Sequence, residues 1–288
     1  MAGSAEELAS ILDLERLEVD LYRGTQARTE RQRVFGGQVA AQSVVAATRT
    51  VDGDHALHSL HSYFLRPGDP SVPIVYDVER IRDGRSFVTR RVLARQHGRP
   101  IYYMTASFQV AESGFEHQDG MPDVPPPQDG IPLAELVRRQ GQSAAEEWVR
   151  EWAALDVRHV GVTGMGLPDD PDHPARARIW IRVDGQLADD PTVQAAAFTY
   201  ASDLTLLGAT LVPHGITLGS PRLQPASLDH TIWFHRPFRA DEWWLYDQFS
   251  PFAGGARGLA LARVFTQSGE LVATVAQEGL IRRHDGRS

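Results

Sequence analysis

The chain contains no cysteine, which excludes a disulfide framework, a thiolate nucleophile and any sulfur-ligated metal. It contains no lysine either: all 29 basic residues are arginine. Schiff-base enzymes and the lysine of ordinary P-loop nucleotide hydrolases are thereby excluded. Positive charge is in deficit overall, with a formal net charge of −8, so nucleic acid is not an expected partner. A small anionic ligand stays compatible, because a few local arginines suffice to hold it. No uninterrupted apolar run is long enough to span a bilayer, and residues 2–18 show neither a basic start nor an apolar signal core. The expected setting is the cytoplasm, with no membrane partner. Two short motifs are also missing. No Gly-x-Ser-x-Gly elbow occurs, and Gly164-Met165-Gly166 is followed by Leu-Pro, which does not open a helix as a dinucleotide site requires.

What is present is a repeat. Arg66-Pro67, preceded by Tyr63-Phe64, reads like Arg236-Pro237 after Trp233-Phe234, and Arg66 and Arg236 stand 170 residues apart. The same offset carries Tyr76-Asp77 onto Tyr246-Asp247, Gly84 onto Gly254, and the end of residues 101–109 onto 271–279. Self-similarity at a fixed offset predicts two copies of one structural unit, and 288 residues with 42% hydrophobic content allow two domains with a real core.

Each copy reads as a buried helix followed by antiparallel strands. In the first, Gly36-Gly37-Gln38 opens an apolar, small-residue helix through Ala47, and residues 58–110 form strands punctuated by Arg66-Pro67-Gly68, Asp83-Gly84-Arg85 and His97-Gly98. In the second, residues 157–162 and 178–183 are expected strands, 191–207 the helix, and 228–283 the remaining strands. The fold class is α+β, a sheet wrapped around a central helix, in tandem. Residues 1–115 form the first unit and 156–288 the second. Between them, residues 116–155 make a proline-rich linker, with Pro125-Pro126-Pro127, and an amphipathic helix. Its stripe of Leu133, Leu136, Val137, Trp148, Val149, Trp152 and Leu155 is expected to dock on the sheet.

Candidate chemistry sits in the second copy only. Asp203 follows an apolar stretch, where an unpaired carboxylate is costly. Ser227 and Gln277 map by the offset onto Leu57 and Ser107, and no carboxylate occurs from Val34 to Val51, the helical stretch that matches Asp203. Gln277 shares a strand face with Val275 and Gly279. His230 lies three residues beyond Ser227, the wrong parity in a strand to serve it as a base, which argues against a serine nucleophile. His55, His58 and His61 alternate in direction without an acidic companion, so no metal site is expected. No cofactor is expected either. For Gly36 and Gly37 the plain reading is a tight turn feeding a buried helix, although the N–H groups of such a helix start favour a negative charge or a polarised oxygen.

The blocks Phe35-Gly36-Gly37-Gln38, residues 61–68, Tyr200-Ala201-Ser202-Asp203-Leu204, residues 228–238, Ala256-Arg257-Gly258 and Gln277-Glu278-Gly279 together resemble the type II acyl-CoA thioesterases. The likeness spans about residues 14–283. It implies a double hotdog fold, in which each sheet wraps its helix, and hydrolysis of fatty acyl-CoA to free acid and CoA. Its catalytic aspartate, serine or threonine, and glutamine fall on Asp203, Ser227 and Gln277. It implies acyl-CoA as substrate, an apolar tunnel for the acyl chain, and a homodimer or homotetramer. Arg257 and Arg85, near glycine turns, are candidates for the CoA phosphates, and Gly36 and Gly37 for substrate contact. The alternatives are a non-catalytic acyl-CoA-binding protein and a hotdog enoyl-CoA hydratase. The latter needs a histidine five residues after its aspartate, where this chain has Gly208.

Overall fold

The computed structural model describes residues 1–26, 29–138, 142–160 and 175–283. Gly164-Met165-Gly166 and the end of the expected strand 157–162 lie outside them. The first copy comprises α1 (Ala5–Leu12), β1 (Glu15–Glu18), β2 (Leu21–Gly24), α2 (Gly36–Thr48), β3 (Ala56–Phe64), β4 (Ile74–Asp83), β5 (Phe87–Gln96) and β6 (Arg99–Gln109). The linker carries β7 (Ile131–Pro132), α3 (Leu133–Arg138) and α4 (Gln142–Trp152). The second copy follows with β8 (Leu155–Val160), β9 (Arg176–Val183), α5 (Pro191–Ser202), β10 (Leu223–Ser227), β11 (Asp229–Phe234), β12 (Trp244–Gly254), β13 (Arg257–Thr266) and β14 (Leu271–Arg283).

The strands form one 14-stranded sheet in the order β1-β2-β4-β5-β6-β3-β11-β14-β13-β12-β9-β8-β7, with β10 added beside β14. The order on one side of the β3–β11 seam is repeated in reverse on the other, as a two-fold relation demands. The seam itself locates the axis. β3 and β11 pair antiparallel with His61 opposite Thr231, and these residues are separated by the same 170 positions as the sequence repeat. A residue that faces its own counterpart stands on the pseudo-dyad. The tandem helix-in-sheet architecture expected from the sequence is therefore present, as a double hotdog.

Among the strands that follow each helix, the 170 offset fails in one. β5 and β13 match end to end, but the turn from Gln96 to Arg99 is one residue shorter than the turn from Thr266 to Glu270, so β6 corresponds to β14 with an offset of 171. Pairing shows it: Arg90 faces Ala106, and its counterpart Ala260 faces Gln277. Because side chains alternate along a strand, a one-residue slip exchanges the faces. The counterpart of Gln277 is thus buried Ala106, not the outward-facing Ser107.

The two helices pack against each other inside the sheet. Every α2 residue from Gly37 to Ala47 is buried, which its small side chains allow. A Cβ on Gly37 would lie 2.4 Å from the Tyr200 carbonyl of α5, so glycine is required for the helices to approach this closely. α5 is capped by Asp190, whose side chain accepts from the Thr192 N–H at 2.7 Å, with Pro191 at the first helical position. The expected helix 191–207 ends earlier, at Ser202, and a 3-10 helix spans Leu206–His214. The stretch Pro191–His214 is long and apolar enough to cross a membrane by composition, but 67% of its most apolar window is buried in this core. The linker stripe is split between α3, α4 and the start of β8. Leu133 and Trp148 pack on the main core, Leu155 is buried in it, and the rings of Trp148 and Trp152 stack at 6.1 Å.

Candidate active site

Three elements of the second copy and one of the first converge on Asp203. Asp203 is the C-cap of α5, with φ −81° and ψ −9°. Gln277 reaches it from β14, where Val275, Gln277 and Gly279 are buried and Ala276 and Glu278 are half-buried on the other face. Ser227 reaches it from the last position of β10, opposite Gly279. Gln277 Nε2 donates to Asp203 Oδ1 at 2.5 Å and to Ser227 Oγ at 2.9 Å, while Ser227 Oγ donates to the same Oδ1 at 3.1 Å. This ring fixes the amide orientation, since a reversed Gln277 would aim its oxygen at a carboxylate. Its Oε1 is consequently left buried without a partner.

The fourth element is the start of α2. The Gly37 N–H donates to the Asp203 carboxylate, and a Cβ on Gly36 would sit 2.7 Å from Asp203 Oδ2. The positive end of the α2 dipole therefore faces the carboxylate. Burial pushes the Asp203 carboxyl up to about 6, against the opposing hydrogen bonds from Gln277, Ser227 and Gly37. The residue keeps part of its surface in contact with solvent, although its carboxylate is enclosed. A buried carboxylate that titrates near neutrality suits a general base.

Room for this arrangement comes from two more glycines. Gly258 and Gly279 face each other across β13 and β14, and a Cβ there would lie 2.7 Å from Thr210 and 2.4 Å from Leu207. The 3-10 helix rests directly on that bare strip of sheet.

The structure brings Asp203, Ser227, Gln277, Gly36 and Gly37 together. Arg257 stands nearby, next to Gly258, where its half-exposed side chain pairs with Glu278 at 3.0 Å. Arg85 does not join them; it is exposed on the first-copy turn beside Asp83, which pairs with Arg90 at the other end of α2. A cavity of about 670 Å³ lined by Arg182, Asp184, Asp189, Arg239, Asp241 and Glu242 includes none of the three site side chains, and its charged lining is unsuited to an acyl chain. The three histidines go to separate partners: His55 Nδ1 meets the Asp52 carbonyl at 3.2 Å, His58 bonds Ser107 Oγ at 2.8 Å, and His61 packs edge-on to Trp233.

His230 takes a place that strand parity did not anticipate. The parity argument presumes a continuous strand, but β10 and β11 are separated at Leu228. The buried His230 is nonetheless not a partner of Ser227; it meets Ser202 Oγ through Nε2 at 2.8 Å. The first copy contributes through the start of α2. Its only sequence signal is the glycine pair at a helix start. Tyr102, a buried β6 residue close enough for the Asp203 charge to help burial raise its phenol, has no signal beyond an aromatic in an apolar strand.

Comparison with known proteins shows the family. Residues 172–280 match the family described as acyl-CoA thioesterase, and residues 25–109 the acyl-CoA thioesterase N-terminal domain. The chain is 39% identical to human acyl-coenzyme A thioesterase 8 over 287 residues, covering 96% of this chain and 88% of that protein. The chain belongs to the type II acyl-CoA thioesterase family. Acyl-CoA thioesterase 2 of Haemophilus influenzae is 38% identical, with 98% and 99% of the two chains covered. The solved structure of an acyl-CoA thioesterase II from Mycobacterium marinum superposes with a TM-score of 0.82 at 50% identity, over 97% of this chain and 100% of that one.

Proposed function

We propose that this chain hydrolyses fatty acyl-CoA thioesters to free acid and CoA, using a water activated by Asp203 and oriented by Ser227 and Gln277. The observation that carries the reading is the shared hydrogen-bond ring on Asp203 Oδ1 together with a carboxyl raised to about 6. Asp203 is the one member able to take a proton. Gln277 Oε1, buried and otherwise unpartnered, accepts a second bond from the same water, and two acceptors aim its lone pair at the thioester carbon. The carbonyl oxygen develops negative charge during attack, and the start of α2, whose Gly37 N–H is already committed to Asp203, offers the Gly36 N–H and its positive dipole end for it. No covalent intermediate is required, since the water attacks directly and the CoA thiolate leaves.

Arg257, next to Gly258 in the chain and paired with Glu278 on the strand face opposite Gln277, is assigned to the CoA phosphates in this reading. The reading also keeps the protein cytoplasmic and assembles it as a homodimer or homotetramer, a point that light scattering checks. The deciding experiment is thiol release across acyl-CoAs from acetyl to palmitoyl. Turnover with some member of the panel, and no adduct on Ser227 by intact mass, is the expected result. A protein that binds acyl-CoA but releases no CoA in a single turnover is a binding protein instead.

A further inference from the structure

Asp203 stands at the end of a helix, where the backbone ladder no longer holds it, and the polar residues that secure that end occur on one side of the pseudo-dyad only. On either side of the His61–Thr231 pair, the next inward-facing residues are Leu60 and Ser62 on β3 and His230 and Ile232 on β11, all buried. Leu60 faces Ile232, and Ser62 faces His230. By the repeat, Leu60 corresponds to His230 and Ser62 to Ile232, so exact symmetry would make the two cross-strand pairs alike. One is aliphatic. The other is polar and connects to the residue before Asp203.

We propose that His230 is a positioning residue for Asp203, acting through Ser202, in the hydrolysis put forward above; the inference rests on that reading of the site. Ser202 Oγ lies 3.0 Å from the Thr199 carbonyl and 2.8 Å from His230 Nε2. A hydroxyl has one proton to give. If it goes to Nε2, the imidazole proton is on Nδ1, which is buried without a partner. If it goes to the carbonyl, Nε2–H donates to Ser202 and only a lone pair is left bare, the cheaper outcome. The chain of donors therefore runs from His230 Nε2–H to Ser202 Oγ and on to Thr199 O.

Its other end is anchored in the first copy, where Ser62 Oγ donates to the His230 carbonyl at 2.6 Å. Tyr246 holds the same turn through its hydroxyl, which donates to the Ser202 carbonyl at 3.1 Å. Ser202 is thus gripped by side chain and backbone, and the adjoining carboxylate inherits a fixed direction. Burial pushes the imidazole down to about 3, so this neutral arrangement persists across the working pH range.

The test uses the full chain and steady-state thiol release with Ser202→Ala, His230→Gln and His230→Asn. Glutamine places an amide nitrogen near the Nε2 position, and asparagine falls short of Ser202. Ser202→Ala and His230→Asn should lose about 10- to 100-fold in kcat with KM little changed, as expected for a misaimed base, while His230→Gln should recover most of the loss. The mirrored variant Leu60→Ala should lower the melting temperature and leave kcat of the folded enzyme intact. Wild-type kcat in Ser202→Ala overturns the proposal, as does equal activity of the glutamine and asparagine variants, or a kcat loss in Leu60→Ala matching theirs. If the His230 variants fail to fold, Ser202→Ala decides alone, since it removes a single hydroxyl from a helix. Asp203→Asn separates the two levels: retained turnover there removes the site itself, whereas an inactive Asp203→Asn beside an unaffected Ser202→Ala removes only the positioning role.

Discussion

The C-terminal ends of α5 and α2 are finished in opposite ways. At the end of α5, Asp203, Gln277 and Ser227 meet over the bare strip of Gly258 and Gly279. At the end of α2, the buried Arg90 closes the helix: Nε donates to Thr50 Oγ1 at 2.8 Å, Nη2 to the Thr50 carbonyl at 3.0 Å and to Asp83, and Nη1 to the carbonyls of Arg82 and Thr89. The pairings correspond position by position. Arg90 opposite Ala106 is mirrored by Ala260 opposite Gln277, so the long polar side chain has changed strands. Val88 and Phe108 fill the space that Gly258 and Gly279 leave open, and Leu57 stands where Ser227 would.

One end is satisfied and the other is not. All three guanidinium nitrogens of Arg90 are bonded, whereas near Asp203 the atoms Gln277 Oε1 and His230 Nδ1 are buried without partners. Unpaired buried polar atoms and a carboxylate raised by burial are liabilities for folding, and the place where chemistry is proposed carries both. A covalent pair of hotdogs can keep such a site once and use the mirrored place for packing.

Ranked by effect on turnover, Asp203→Asn should break the comparison most completely. Removing the base should reduce kcat by about 10²- to 10⁴-fold. Stability should move the other way. The carboxyl is raised from 3.8 to about 6, so ionising it disfavours the folded state, and this penalty grows as pH rises from about 4 to 6 and is fully present above that. At about 1.4 kcal/mol per unit, the asparagine variant should gain on the order of 1–3 kcal/mol at pH 7, read as a raised melting temperature. In the wild type, kcat/KM should fall about tenfold per unit below pH 6 as the base protonates. A flat profile down to pH 4.5 would remove Asp203 from the mechanism.

Ser227→Ala comes next, with an expected loss of about 10²-fold for one catalytic hydrogen bond, while Ser227→Thr should retain substantial activity because it keeps the oxygen. Alanine as active as wild type on every acyl-CoA would reduce Ser227 to a strand residue. Gly279→Ala takes a step toward the filled end: its Cβ would meet Leu207 at 2.4 Å, and the strain of such overpacking is about 1–3 kcal/mol. A folded variant with kcat reduced about tenfold is expected, and unchanged kinetics would show that the 3-10 helix can retreat without disturbing the site.

Much of this was legible beforehand because the repeat is a one-dimensional signal. The offset predicts two copies of one unit, each a helix followed by antiparallel strands, with Ser227 and Gln277 unlike their counterparts in the first. It failed where one inserted residue in the turn before β14 exchanged faces, assigning Gln277 to Ser107 and hiding the swap of Arg90 with Gln277. The parity argument for His230 presumes an unbroken strand and loses its footing at Leu228, although His230 bonds Ser202 and not Ser227. The approach of Gly37 to Asp203 is a contact between copies, and no local pattern around Gly36-Gly37 encodes which residue will arrive there. The apolar pattern continues past the end of α5 through Leu207 because the 3-10 helix that follows also buries its residues.

Arg90→Ala should have the smallest effect on turnover, and it tests whether the two ends are independent. α2 joins them, with Gly36 and Gly37 at the proposed site and Thr48 near the Arg90 cap. Thirteen residues at about 1.5 Å each put roughly 20 Å between them, beyond the range at which substitutions usually couple. Removing the guanidinium strands the Thr50 carbonyl and opens a cavity, for a stability loss of about 2–4 kcal/mol and a lower melting temperature. The kcat of the folded variant should stay within about twofold of wild type, because additivity between distant sites holds to a few tenths of a kcal/mol. Should kcat instead fall in step with stability, α2 transmits the loss from its C-terminus to the Gly37 N–H. The filled end would then be a support that the site requires.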